Sequence, residues 1–162
     1  HRSENVDNLE NLKIIFNALN KISQKYKKRI IYPMHPRTSS KLKTLSVPKC
    51  IEIIKPLGFF DFTKLEKNAL CVITDSGTVP EETLYFGKPC VTIRKSTERP
   101  ETIESGSNIL SGLNSDDIFE SVKQMTSIVP DWSWNLSLGD GKTASKVVNI
   151  IRGKLERRVI EM

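Results

Sequence analysis

Long apolar runs are missing from this 162-residue sequence. No stretch reaches the roughly 18 apolar residues that a bilayer-crossing helix needs, so no membrane partner is expected. Metal-ligating residues are scarce as well. Cys50, Cys71 and Cys90 show no C-x-x-C spacing, and only His1 and His35 are available to join them, so a zinc site lacks ligands. Two of the three cysteines lie in apolar, strand-like runs, which predicts buried free thiols in a reducing, cytoplasmic setting. The net charge of +6 is not gathered into a basic patch with interleaved aromatics. Its densest groups, Lys25, Lys27, Lys28, Arg29 and Lys154, Arg157, Arg158, fall where helices should end and complement the helix dipole. No nucleic-acid partner is expected. Repeats and low-complexity segments are also missing. The chain opens at His1 without a start methionine, signal peptide or transit sequence, which predicts a fragment of something longer. What remains is ordinary for one globular unit spanning residues 1–162: 38% hydrophobic residues to fill a core, and 27% charged residues with both signs mixed.

Apolar periodicity organises that unit. Leu9, Leu12, Ile15, Phe16, Leu19 and Ile22 recur at three- and four-residue spacing and predict an amphipathic helix from Val6 to Tyr26. Short strands are predicted at Arg29–Met34 and Cys50–Ile54, with a helix from His35 to about Leu45 between them. A helix is expected over Phe59–Asn68. The run ALCVIT (Ala69–Thr74) reads as a strand covered on both faces. GTVPEETLYFG follows as a helix, with Pro80 in the first turn, Glu81 and Glu82 complementing the dipole, and Gly87 ending it. CVTIR and SNILSG predict two more strands, and Ser115–Ile128 and Lys142–Arg158 two closing helices. Strands alternating with helices at this rhythm predict an α/β fold, a Rossmann-like parallel sheet flanked by helices.

In such sheets ligands bind beyond the carboxyl ends of the strands, where loops run into helix N-termini. Ser76, Gly77 and Thr78 occupy such a turn. Backbone N–H groups and two hydroxyls there suit a pyrophosphate, and Gly77 permits close approach. The plainer reading is an N-cap with two dipole-complementing carboxylates, a far commoner feature. Neighbouring residues favour the functional one. Glu82, one turn into the helix, can accept from a ribose diol, and the loop after the next strand carries Arg94, Lys95 and Arg99. Two adjacent strand-end loops therefore suit a nucleotide diphosphate.

HRSEN, PLGFFDF, DSGTVPEE, GKPCVTIRKSTERPE, GSNILSG and LGDGKTASKVV, in this order, resemble the C-terminal half of the non-hydrolysing UDP-N-acetylglucosamine 2-epimerases over essentially the whole chain. The resemblance implies one half of a glycosyltransferase-B-type two-domain fold, with the N-terminal domain absent from this chain and a homodimer for the parent. It implies that Phe62 contacts uracil, Glu82 the ribose, and Ser76, Gly77 and Thr78 the phosphates, with Arg94 and the catalytic His1 approaching the phosphate–sugar region. Taken alone, Phe62 reads equally as core, Arg94 as an ion-pairing residue and His1 as a frayed terminus.

The implied reaction inverts C2 of a UDP-N-acetyl sugar, without a cofactor, by elimination and re-addition of UDP, for surface polysaccharide precursors. The acid–base carboxylates lie mainly in the other half, so this chain should bind UDP and not turn over sugar. Gly77-Thr78 stands where Gly-Gly is usual, Pro80 where Gln is common, and His35-Pro36-Arg37-Thr38 in place of a His-x-Asn-Pro segment tied to an allosteric substrate site. These departures are similar to the branch that forms UDP-N-acetyl-L-fucosamine or acts on diacetamido-uronates. A glycosyltransferase and a non-catalytic nucleotide-sugar sensor are the competing expectations.

Overall fold

The computed structural model describes residues 2–42, 45–132 and 139–160. It opens with a single turn, α1 (Ser3–Val6), followed by α2 (Leu9–Tyr26). The helix expected from Val6 is divided because Asn8 is extended and its side chain accepts a hydrogen bond from the Glu10 N–H at 2.9 Å, which caps α2. Then come β1 (Ile30–Pro33), α3 (Pro36–Lys41), β2 (Ile51–Ile54), α4 (Phe59–Asn68), β3 (Val72–Thr74), α5 (Val79–Tyr85), β4 (Cys90–Thr92), α6 (Pro100–Glu104) and β5 (Asn108–Leu110). Helices α7 (Ser115–Ser127) and α8 (Thr143–Ile160) follow. Helix α6 was not foreseen; Pro100 starts it inside the loop-like TERPE segment.

Every strand pair is parallel, as the alternating pattern predicts, but the hydrogen bonding falls into two ladders, β1–β2 and β3–β4–β5. Pro33 supplies a reason for the division. The Ile30 and Met34 N–H groups bond to the carbonyls of Cys50, just before β2, and Ile54, at its end, so the two-residue period turns Ile31 and Pro33 toward the opposite edge. Proline has no N–H, and that edge loses half its donors.

One core nevertheless spans both ladders. Phe16, Leu19 and Ile22 of α2 pack with Ile118, Val122 and Met125 of α7 over Val91, Ile93 and Ile51, with Tyr32 and Ile73 against their margin. All three residues of β4 are buried, whereas those of β3 are half-buried. The fully covered strand is thus β4 rather than ALCVIT, because β3 ends its ladder and β4 lies in the middle. Along β4 the sides alternate: Val91 meets α2 and α7, and Cys90 faces Thr83 of α5.

Candidate functional site

Thr74 and Thr92 are register partners, so the loops after β3 and β4 leave the sheet side by side. Helix α1 ties them together. Asn5, 3% exposed, donates from Nδ2 to Asp75 Oδ2 at 3.3 Å and to the Ile93 carbonyl at 3.2 Å. The Arg2 N–H donates to Asp75 Oδ2 at 2.9 Å, and its Nε to the Asp75 carbonyl at 3.3 Å. Segments about seventy residues apart in sequence therefore meet at one strand end.

The β3 loop is small and hydroxyl-bearing. The Ser76 N–H donates to Thr74 Oγ1 at 3.0 Å, and the Thr78 N–H to Ser76 Oγ at 3.3 Å. Thr78 caps α5 without a side-chain hydrogen bond, and its hydroxyl lies 3.3 Å from that of Ser76. A Cβ built on Gly77 would sit 3.5 Å from both Arg2 Nη2 and Glu98 Oε2. A guanidinium and a carboxylate thus flank the loop from opposite chain segments. The positive end of the α5 dipole and the Arg2 side chain both favour an anion there, and Glu98 opposes it.

The β4 loop directs its guanidiniums to carboxylates of the protein. Arg94, 9% exposed, donates from Nη1 and Nη2 to the two Glu98 oxygens at 2.8 and 2.9 Å, and from Nε to Glu4 at 3.4 Å. This is a bidentate guanidinium–carboxylate fork. It pulls Glu98 down to about 2. Arg99 lies 2.8 Å from Glu81 of α5. Charge expected to serve a ligand from Arg94 and Arg99 is therefore committed to neighbouring carboxylates, and Lys95 is left exposed.

Phe62 is half-buried on α4, whereas Phe59 and Phe60 are 68% and 84% exposed with their rings edge to face at 5.6 Å. Glu82 stands in the first turn of α5, its N–H bonded to the Thr78 carbonyl. Across from it on α4 is Glu66, 3% exposed, whose carboxyl is raised to about 8 by burial first and by the facing Glu82 second. The structure thus brings Ser76, Gly77, Thr78 and Glu82 into one loop and helix start, with Arg94 joined to them through Glu98. His1 lies outside the described residues. His35 caps α3, accepting from the Arg37 N–H at 3.2 Å.

Arg2 and Glu66 escaped the sequence reading. Arg2 lies in the HRSEN motif, but nothing local in the sequence marks its side chain. Glu66 had a signal too, a carboxylate on the otherwise apolar side of an amphipathic helix. Among the described residues, no group of three or more potential metal ligands is gathered in one place, and no helix is long and apolar enough to cross a membrane.

Comparison with known proteins gives a consistent result. The model of the family described as UDP-N-acetylglucosamine 2-epimerase matches residues 1–152. A UDP-N-acetylglucosamine 2-epimerase of Methanococcus maripaludis is 43% identical over 160 residues, covering 95% of this chain and 43% of that protein. A crystal structure of the Methanocaldococcus jannaschii UDP-GlcNAc 2-epimerase, in complex with UDP-GlcNAc and UDP, superposes with a TM-score of 0.85 at 42% identity, over 94% of this chain and 43% of that one. A UDP-2,3-diacetamido-2,3-dideoxy-D-glucuronate 2-epimerase of Pseudomonas aeruginosa is 39% identical over 123 residues, covering 76% of this chain and 34% of its own. The chain spans about 43% of the length of the first two relatives.

Proposed function

Since this chain belongs to the UDP-N-acetylglucosamine 2-epimerase family, we propose that it is the UDP-binding, C-terminal domain of an isomerase that inverts C2 of a UDP-N-acetyl sugar. One observation carries this reading: the Ser76–Thr78 loop lies at a parallel-strand end, at the amino end of α5, with the Arg2 guanidinium beside Gly77. Ser76, Gly77 and Thr78 would hold the pyrophosphate through the Gly77 N–H and the two hydroxyls, with the Ser76 and Thr78 N–H groups turning to it from their bonds within the loop. Arg2 would add charge, Glu82 would accept from the ribose diol, and Phe62 would meet the uracil. Arg94 serves indirectly, by holding Glu98 and Glu4 in place beneath the loop, and His1 would approach the sugar.

The chemistry asked of these residues is the departure and return of UDP. In elimination a base takes the proton from C2 while the C1–oxygen bond breaks, leaving a glycal and UDP. In re-addition a proton arrives at C2 on the other face and the UDP oxygen bonds to C1 again. Charge develops on the pyrophosphate as the bond breaks, and preorganised N–H donors and a guanidinium stabilise it. The proton-transfer groups would come from the length of the relatives that this chain does not span. Oriented donors and a single anchored carboxylate need no cofactor for this role.

The sugar we favour is UDP-N-acetylglucosamine, because the relative of that name exceeds the diacetamido-glucuronate epimerase in both identity and coverage. A homodimeric parent working in the cytoplasm on polysaccharide precursors fits the same reading. Calorimetric titration of this chain with UDP tests it. Binding that Ser76→Ala and Glu82→Ala each weaken is expected, together with no epimerisation of UDP-N-acetylglucosamine by the chain alone. Affinity unchanged in both variants would remove the site.

A further inference from the structure

Glu66 packs its carboxyl between two layers of the fold. It lies on α4, 3% exposed, and neither of its oxygens receives a hydrogen bond from a described residue. The titratable groups facing it among those residues are Glu82 from α5 and the Cys90 thiol from β4. Burial pushes that thiol up to about 12, so it brings no charge at neutral pH. A carboxylate buried without a donor is strongly disfavoured. Two facing carboxyls resolve the conflict by keeping a proton between them.

We propose that Glu66 is a positioning residue for nucleotide recognition: its carboxyl O–H donates to one oxygen of the Glu82 carboxylate, fixing that side chain at the start of α5 and leaving the other oxygen for a ribose hydroxyl. The inference rests on the reading of Glu82 as the ribose contact. An apolar residue at position 66 would fill the same space but leave Glu82 to rotate among its staggered conformers. Loss of the shared proton would set two carboxylates against each other and turn Glu82 away. Nucleotide affinity should then fall on the alkaline side.

The test is titration with UDP from neutral to mildly alkaline pH of the parent chain, Glu66→Gln, Glu66→Leu and Glu82→Ala. Dividing each parent value by that of Glu66→Gln at the same pH cancels the titration of the nucleotide itself. The amide of Glu66→Gln donates at every pH, so its affinity should stay level relative to the parent, which weakens about ten-fold as the proton is lost. Glu66→Leu should bind weakly throughout. Parallel profiles for the parent and Glu66→Gln, with Glu82→Ala still weakened, would overturn the positioning role and spare the ribose contact. Full affinity in Glu82→Ala would overturn both. Carboxyl-carbon NMR of the ligand-free chain gives a second readout. A glutamate titrating near 8 should be present in the parent and lost in Glu66→Gln, and its absence from the parent would also overturn the proposal.

Discussion

The loops after β3 and β4 leave adjacent strand ends, yet they handle charge in opposite ways. The β4 loop pairs its guanidiniums: Arg94 forks onto Glu98 within the loop and reaches Glu4 of α1, and Arg99 pairs with Glu81 of α5. The β3 loop carries hydroxyls, a glycine and one carboxylate, Asp75, which is tied to the Arg2 and Asn5 N–H groups, and the charges beside Gly77, Arg2 and Glu98, come from elsewhere in the chain. A paired guanidinium in the β4 loop makes a scaffold, and the proposed site falls to the β3 loop, with its hydroxyls and the Gly77 N–H. The same division runs through the carboxylates. Glu98 is held ionised by Arg94, whereas Glu66 is held protonated by burial.

Breaking the scaffold should have the largest effect. Arg94→Met strands Glu98 and Glu4, and thermal unfolding should show a loss of about 2–3 kcal/mol, below the figure for a fully buried pair because both carboxylates are more than half exposed. A loss no greater than that of a surface lysine substitution would erase the distinction between the loops.

The two carboxylates should next separate by pH. Glu66 rises from its ordinary 4.5 to about 8, so between those values the folded state keeps a proton that the unfolded chain has lost. Stability from this group is complete below about 4.5 and is lost as pH rises toward 8. Glu98 falls from 4.5 to about 2, so its contribution is present above 4.5 and is lost as pH drops toward 2. Urea unfolding across pH should show both limbs. Glu66→Leu should flatten the limb between about 4.5 and 8, and Glu98→Gln the one below it. A limb that survives its own substitution refutes the assignment of that group.

Ligand affinity should respond to the imported charges by smaller amounts. Arg2→Met should weaken UDP about five- to ten-fold and make the affinity less sensitive to salt, as expected for one charge-assisted contact. Glu98→Gln removes a carboxylate beside Gly77 while keeping an oxygen for Arg94. It should tighten UDP by about two-fold, a modest gain because the group is largely solvated. Isothermal titration at two salt concentrations reads both variants. Weaker binding in Glu98→Gln would make that residue part of the ligand site rather than its opponent.

What was legible in the sequence followed from local pattern. Helix α4 occupies Phe59–Asn68 as expected, and the Gly-containing turn between an apolar run and Pro80 lies at a strand end. The divided ladder also had a local cue in Pro33, but seeing its consequence required the pairing register. Arg94 and Glu98 stand four residues apart in a loop, where no helical period brings such residues together, so their pairing depends on the path the loop takes. The Arg2–Asp75 contact spans 73 residues, and the Glu66–Glu82 contact depends on how α4 meets α5. No window of sequence holds either one, because packing alone creates them.

Backbone amide NMR during UDP addition tests most directly whether the β3 loop, and not its charged neighbour, receives the nucleotide. The largest shifts are predicted at Ser76, Gly77, Thr78 and Val79, with far smaller ones across Arg94–Arg99. Dominant shifts in that second segment, or none in the first at saturation, would contradict it.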